Sequence, residues 1–195
     1  MTVTTSAKIR LALPSDEPEI LHLLSLMHAE NAQYPVDWDC VRAKLARAWS
    51  QQGATIAVIG LPGQIRAMVM LEIGCIWYTR KCHVGDVFTF VHPDHRKSDY
   101  LKLLVHYARE SSEKLSAQMG EKVPLVMGVV AYKRMAALVR LYRRFFGLPV
   151  VALFVYNASW VCKDEPCEED LWRLPSMAKW LRRHSNGSEK RRIGA

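Results

Sequence analysis

Long apolar runs are missing from this sequence. No stretch approaches the roughly 18–20 uncharged residues that a bilayer-spanning helix needs. Residues 1–8 lack the apolar core of a secretory leader. No contact with a membrane is therefore expected. Repeats with periods of 20–50 residues are also missing, which excludes a solenoid. Cysteine is scarce: Cys40, Cys75, Cys82, Cys162 and Cys167 make five, an odd number, with no Cys-x-x-Cys pair among them. The gap between Cys162 and Cys167 has no second pair to complete a zinc site. No structural metal is expected, and the cysteines read as reduced thiols of a cytoplasmic compartment.

What is present is ordinary globular material. The 195 residues are 50% hydrophobic and 24% charged, enough apolar side chain for a core and too much for global disorder. The net charge is +8, and it is unevenly placed. Between residues 172 and 195 stand Arg173, Lys179, Arg182, Arg183, Lys190, Arg191 and Arg192 against the single acid Glu189. The rest of the chain is close to balanced. Such an end is either a solvated tail or a surface for an acidic partner.

Periodicity divides the chain into elements. Residues 8–13 alternate as a short strand that meets Pro14-Ser15-Asp16. Ser15 or Asp16 can cap a helix whose apolar face is Ile20, Leu23, Leu24 and Met27. A break at residues 31–35 precedes a second helix, opened by Asp37 or Asp39, with Val41, Leu45 and Trp49 four residues apart. Residues 54–60 and 65–77 read as a hairpin around Leu61-Pro62-Gly63-Gln64, with Gly74 as a bulge or bend. A strand over 84–91 stops at Pro93. A helix follows over 99–119, then a buried strand over 125–130, a helix over 134–146 and a last strand over 150–156. The order β-α-α-β-β-β-α-β-α-β describes an α/β chain with a mixed sheet. The strand-helix-strand passage from 84 to 130 predicts a parallel pair.

The richest passage runs from Phe88 to Leu104, where a strand enters the basic turn His92-Pro93-Asp94-His95-Arg96-Lys97-Ser98 and opens directly into a helix. The first N–H groups of a helix are unpaired and lie at the positive end of its dipole, so this turn suits a phosphate. Carboxylates on interior strands are expensive unless paired or used. Asp86 is thus the first candidate for a general base, with His83 second and Glu72 on the neighbouring strand as a further group that could line the same site. His92 and His95 read as exposed turn residues, and Asp99 as a good N-cap.

Val91-His92-Pro93 followed by Arg96-x-x-Asp99-x-Leu101 and Leu103-Leu104 resembles the GNAT superfamily of acyl-CoA N-acyltransferases. Those proteins carry Val-x-Pro, then Arg-x-x-Gly-x-Gly, then a helix with Leu-Leu. Ala136-Ala137 through Tyr142 to Gly147 is similar to that family's alanine-rich helix with its tyrosine. The Arg-Leu-Tyr-Arg-Arg variant is similar to small bacterial and bacteriophage members. The resemblance implies a GNAT-like mixed central sheet flanked by helices over residues 1–157, with a basic extension over 158–195. It implies N-acetyl transfer from acetyl-CoA to an amine of a small molecule or protein, in the cytoplasm or, for a phage protein, the host cytoplasm. The pyrophosphate would lie against Arg96, Lys97, Ser98, Asp99, Leu101 and Lys102, and the pantetheine arm against the strand edge at Phe90 and Val91. Tyr142 would protonate the leaving thiolate and Asp86 would serve as base.

Two departures stand out. Asp99 and Leu101 replace both family glycines, and a carboxylate at Asp99 would face the pyrophosphate unless it turned outward. That favours an alternative, a GNAT-like fold whose CoA site has degraded into a structural or interaction module such as a virion-associated protein. The extension, with Trp172 and Trp180 among its cations, is expected to serve a partner, whether a second copy, another protein in an assembly, or nucleic acid.

Overall fold

The computed structural model describes residues 8–31, 35–75, 78–129 and 134–147. The chain divides into two compact units, Met1–Met135 and Ala136–Ala195. The last strand expected over 150–156 and the extension lie outside the described residues. Among the described residues no helix is long and apolar enough to cross a membrane.

The first unit is a five-stranded sheet in sequence order: β1 (Ile9–Leu11), β2 (Ala54–Ile59), β3 (Ala67–Cys75), β4 (Cys82–Val91) and β5 (Leu125–Val126). The first three pairings are antiparallel and β4–β5 is parallel, as the 84–130 passage predicted. Helices α1 (Glu17–Asn31) and α2 (Trp38–Trp49) precede β2, and α3 (Tyr100–Met119) crosses from β4 to β5. Helix α4 (Met135–Phe146) opens the second unit.

Alternation along the strands makes two cores. Ile56, Val58, Met68, Met70 and Phe90 face α1 and α2, where they meet Ile20, Leu23, Leu24 and Leu45. Ala57, Ile59, Val69, Leu71 and Val84 face α3, where they meet Leu104 and Ala108. Each fully buried Val, Leu, Ile, Met or Phe side chain among these contributes roughly 1.5–3 kcal/mol.

Asp37 caps α2 by accepting from the N–H groups of Asp39 and Cys40. Asp16 serves differently from the cap expected of it. Fully buried, it accepts from Arg10 through both carboxylate oxygens, at 2.6 and 2.9 Å, and from the Leu13 N–H. That pairing ties β1 to the start of α1. The Arg10 bond above all holds the Asp16 carboxyl below its ordinary range, against a burial that works to raise it. Two serines close the crossover: Ser112 donates to the Val123 carbonyl and Ser116 accepts from the Val123 N–H, holding the lead into β5 against α3.

Two sequence expectations need correction. The bulge is not at Gly74, which stays in register with His83, nor at Gly85, which pairs with Glu72. The register steps between Met70–Phe88 and Leu71–Asp86, so Val87 is the residue without an opposite number. Gly74 has another reason to be glycine: a Cβ there would lie 3.1 Å from the His83 ring, which would have to give way. Finally, β5 is a strand over Leu125–Val126 only, rather than to residue 130. Beyond Val126 the strands part, and the Gly128 N–H bonds to the Asp86 side chain in place of β4 backbone.

Candidate functional site

The parting of β4 and β5 builds the site. Against β3, β4 is paired from Cys82 to Val91. Against β5 it is paired, among the described residues, at Val84 and Gly85. The direction of the remaining backbone groups follows from alternation. The His92 N–H donates to the Arg66 carbonyl on the β3 side. Val91, one residue earlier, therefore aims its N–H and C=O at the opposite, open flank, and so does Thr89. Phe90 aims its backbone at β3 and buries its ring in the α1–α2 core, so the residues that present backbone to the opening are Thr89 and Val91. The sequence pointed to Phe90 and Val91. The period of two along a strand decides between neighbours once one hydrogen bond is known.

Asp86 sits where the two strands separate. Its carboxylate accepts from the Gly128 N–H at 2.7 Å and from the Thr89 hydroxyl at 3.1 Å. Burial pushes its carboxyl above the ordinary value, outweighing both bonds, which favour the charged form. A carboxylate raised in this way is a stronger proton acceptor than a free one. His83 lies on the other face: it is in register with Gly74 and shares that face with Glu72, whereas Asp86 shares its face with Leu71. The His83 Nδ1 atom is buried without a hydrogen-bond partner. Glu72 is drawn away from any proton-accepting role. It pairs with Lys44 at 2.9 Å and with Arg47, and the Lys44 bond leads in holding its carboxyl below the ordinary range.

Past Val91, a turn over Pro93–His95 leads to α3. Arg96 does not point into that helix start. Its guanidinium meets the Glu30 carboxylate of α1 at 2.5 and 2.6 Å, its Nε donates to the Val91 carbonyl at 3.3 Å, and it lies over the Phe90 ring at 5.4 Å. It fastens the turn to α1 and occupies one of the open-flank carbonyls. Asp99 occupies the N-cap position but makes no capping bond. Its carboxylate turns outward to the Lys102 ammonium, 2.5 Å away. Ser98 accepts from the Tyr100 N–H. The first helical backbone bond is Leu103 N–H to Asp99 C=O, so the N–H groups of Leu101 and Lys102 precede the helical ladder. The Leu101 side chain packs into the α3 core, which lets its N–H serve without a glycine. Lys97 is exposed. His92 and His95 are half-buried rather than fully exposed, with their rings 5.8 Å apart beside Arg66 and Gln64.

Among the described residues β4 and β5 are thus paired over two residues, with the Asp86 carboxylate bonded across to Gly128 where the ladder stops and the unpaired N–H groups of α3 following a few residues past the end of β4. No family model matches this sequence, and neither does any curated protein. Solved structures do match. A ribosomal-protein-alanine N-acetyltransferase from Brucella melitensis biovar Abortus 2308 covers 77% of this chain and 98% of its own, at 17% identity and a TM-score of 0.57. A GNAT family acetyltransferase from Staphylococcus aureus subsp. aureus USA300_TCH1516 covers 78% and 98%, at 14% identity and 0.53. A protein described as a transcriptional regulator, from Bacillus halodurans C-125, covers 77% and 97%, at 17% identity and 0.59. The chain has the GNAT fold.

In this GNAT-fold chain Tyr142 belongs to α4, in the second unit, where it is buried with its ring edge-on to Phe146 at 5.8 Å. Two features were beyond sequence reasoning. The Glu30–Arg96 pair joins residues 66 apart in the chain. The Thr89 hydroxyl supports Asp86 across the bulge at Val87, which Gly85 and Asp86, both poor strand formers, mark only to within two residues.

Proposed function

We propose that the protein transfers an acetyl group from acetyl-CoA to an amine. The observation that supports this best is the open flank of β4, where Thr89 and Val91 aim backbone groups into a cleft beside the start of α3. An amide-bearing arm such as pantetheine can pair with the Thr89 groups and the Val91 N–H as an added strand would, the Val91 carbonyl being held by Arg96. Acetyl-CoA supplies an acetyl group already activated as a thioester. The N–H groups of Leu101 and Lys102 would hold its pyrophosphate, helped by Ser98 and by the cations of Lys97 and Lys102. The outward turn of Asp99 onto Lys102 removes the main objection to an anion there. Asp86, with its raised proton affinity, takes the proton from the attacking amine. Tyr142, the tyrosine of the GNAT-like alanine-rich helix, would return one to the departing thiolate. The acceptor is an amine-bearing small molecule or protein.

A second reading has its own support. Arg96 is engaged with Glu30, and Asp99 and Leu101 stand where close approach to phosphate favours glycine. These features suit a GNAT fold retained as an interaction module.

Titration with acetyl-CoA separates the two readings. A ligand bound only by the folded chain raises the melting temperature, by an amount equivalent to about 2.7 kcal/mol at a hundred times Kd. Stabilisation together with a calorimetric binding isotherm is expected for the transferase. No heat and no shift at millimolar CoA would select the module.

A further inference from the structure

The acetyl-transfer reading leaves the far end of the β3–β4 hairpin unused, and two thiols meet there. Cys75 closes β3, Cys82 opens β4, and the two are in register. Their sulfurs are 3.5 Å apart, both residues are free thiols, and Cys75 is exposed. The class of this pair follows from the hydrogen bonds around it. The Ile73 N–H is given to Gly53 on β2, and the Val84 N–H to Pro124 beside β5. Ile73 and Val84 face each other in register yet aim their backbones apart, so they form a non-hydrogen-bonded pair. The class alternates along an antiparallel ladder, so the Cys75–Cys82 pair, two steps on, is of the same kind. In such pairs the Cα atoms are about 4.5 Å apart, which falls within the 4.4–6.8 Å that a disulfide spans. Joining the sulfurs needs a side-chain adjustment of roughly 1.5 Å and no change of register.

We infer that Cys75 and Cys82 are a redox-modification site, a dithiol that a two-electron oxidant of the peroxide class converts into a reversible cross-strand disulfide. The exposed Cys75 sulfur, as thiolate, attacks one peroxide oxygen. The O–O bond breaks, and after protonation the products are a sulfenic acid on Cys75 and one water. The Cys82 sulfur then attacks the Cys75 sulfur. The S–O bond breaks, and the departing hydroxide takes up the Cys82 proton as a second water. Two thiols and one peroxide give one disulfide and two waters. A thiol held this close traps the sulfenic acid before further oxidation. The product closes a short loop and restricts the unfolded chain.

The test uses the full-length chain and Cys40→Ser/Cys162→Ser/Cys167→Ser, which keeps only this pair. Hydrogen peroxide is one probe and oxidised glutathione, acting by thiol exchange, the other. Expected results are the joint loss of both thiols, an intact mass lower by two hydrogens, a monomer on non-reducing gels, and a melting temperature raised by about 5 °C that dithiothreitol reverses. If the triple variant does not fold, peptide mapping of the oxidised wild-type protein gives the same reading. Trypsin cuts after Arg66, Arg80, Lys81 and Arg96, so the disulfide would join residues 67–80 to residues 82–96. Sulfinic acid on Cys75 with Cys82 still a thiol would overturn the inference. So would dimers linked through either cysteine, or both thiols surviving oxidant that consumes Cys40.

Discussion

The two flanks of β4 are made from the same ten residues and treated in opposite ways. Toward β3 the ladder runs its whole length, from Cys82 to Val91, with Met68 and Phe90 buried opposite each other. Toward β5 it is paired at Val84 and Gly85, and then Asp86 reaches across to Gly128 where backbone would otherwise have bonded backbone. The closed flank commits its hydrogen bonds to the fold. The open flank keeps Thr89 and Val91 turned toward a cleft. Among the described residues neither has a strand partner on that flank; the Val91 carbonyl accepts from Arg96, and a backbone group left without a ladder needs something else to satisfy it, which is why the proposed site is placed there.

The sharpest way to separate the flanks is Asp86→Asn. The amide oxygen can still accept from Gly128, so the apex stays closed while the proton acceptor is lost. We expect kcat for acetyl transfer to fall about 10²–10⁴-fold in steady-state assays, with no loss of melting temperature at pH 7. The pH dependence has a definite sign. The folded carboxyl binds its proton more tightly than the unfolded one, so Asp86 favours the folded state most at pH below the ordinary carboxylate value of about 3.9. That contribution declines as pH rises through the raised folded value. Denaturation of the Asn variant across pH should lack this decline. An equally steep decline would place the titration on another group.

Tyr142→Phe comes next. If the phenol protonates the thiolate, kcat falls by up to a similar factor, about 10²–10⁴-fold, while acetyl-CoA affinity by calorimetry changes little. An unchanged kcat on a genuine amine substrate would remove Tyr142 from the reaction.

Stability should report the same asymmetry. Met68→Ala, on β3 against the closed flank and fully buried, should cost about 2–5 kcal/mol in urea denaturation. Val126→Ala, on β5 and 51% exposed, should cost no more than about 0.5 kcal/mol. Equal costs would mean that β5 is as firmly built in as β3.

Most of this frame is legible in the sequence, because its elements carry strong periodic signals. Leu101, Leu104, Val105 and Ala108 repeat at helical spacing and mark α3, and Leu61-Pro62-Gly63-Gln64 marks the β2–β3 turn. What escapes is whatever depends on pairing between distant segments. Residues 127–129 look like more strand, and only the divergence of β5 from β4 ends it at Val126. Arg96 reads as a phosphate ligand until Glu30, on α1, is seen beside it. Cys75 and Cys82 are two unremarkable thiols in the sequence, and the hairpin register turns them into a pair.

The smallest effect expected bears on the floor of the open flank. Asp99 is exposed, and its carboxylate is turned to Lys102 at 2.5 Å. Asp99→Asn should leave the melting temperature within about 2 °C, since exposed i,i+3 pairs contribute little. If a pyrophosphate binds at the N–H groups of Leu101 and Lys102, the change removes a nearby negative charge and frees the Lys102 ammonium. Two like charges at 4 Å in water repel by about 1 kcal/mol, so CoA should bind roughly five times more tightly. The gain should shrink as salt screens it, because the Debye length falls from about 10 Å at 0.1 M to about 3 Å at 1 M. Asp99→Gly should match Asn if charge alone matters, and exceed it if the backbone also needs room to approach the phosphate. Calorimetric CoA titrations of the three proteins at 0.1 M and 1 M salt measure both differences. Affinities that do not respond to either substitution or to salt would mean that no phosphate lies at the start of α3, and the open flank would then need a different occupant.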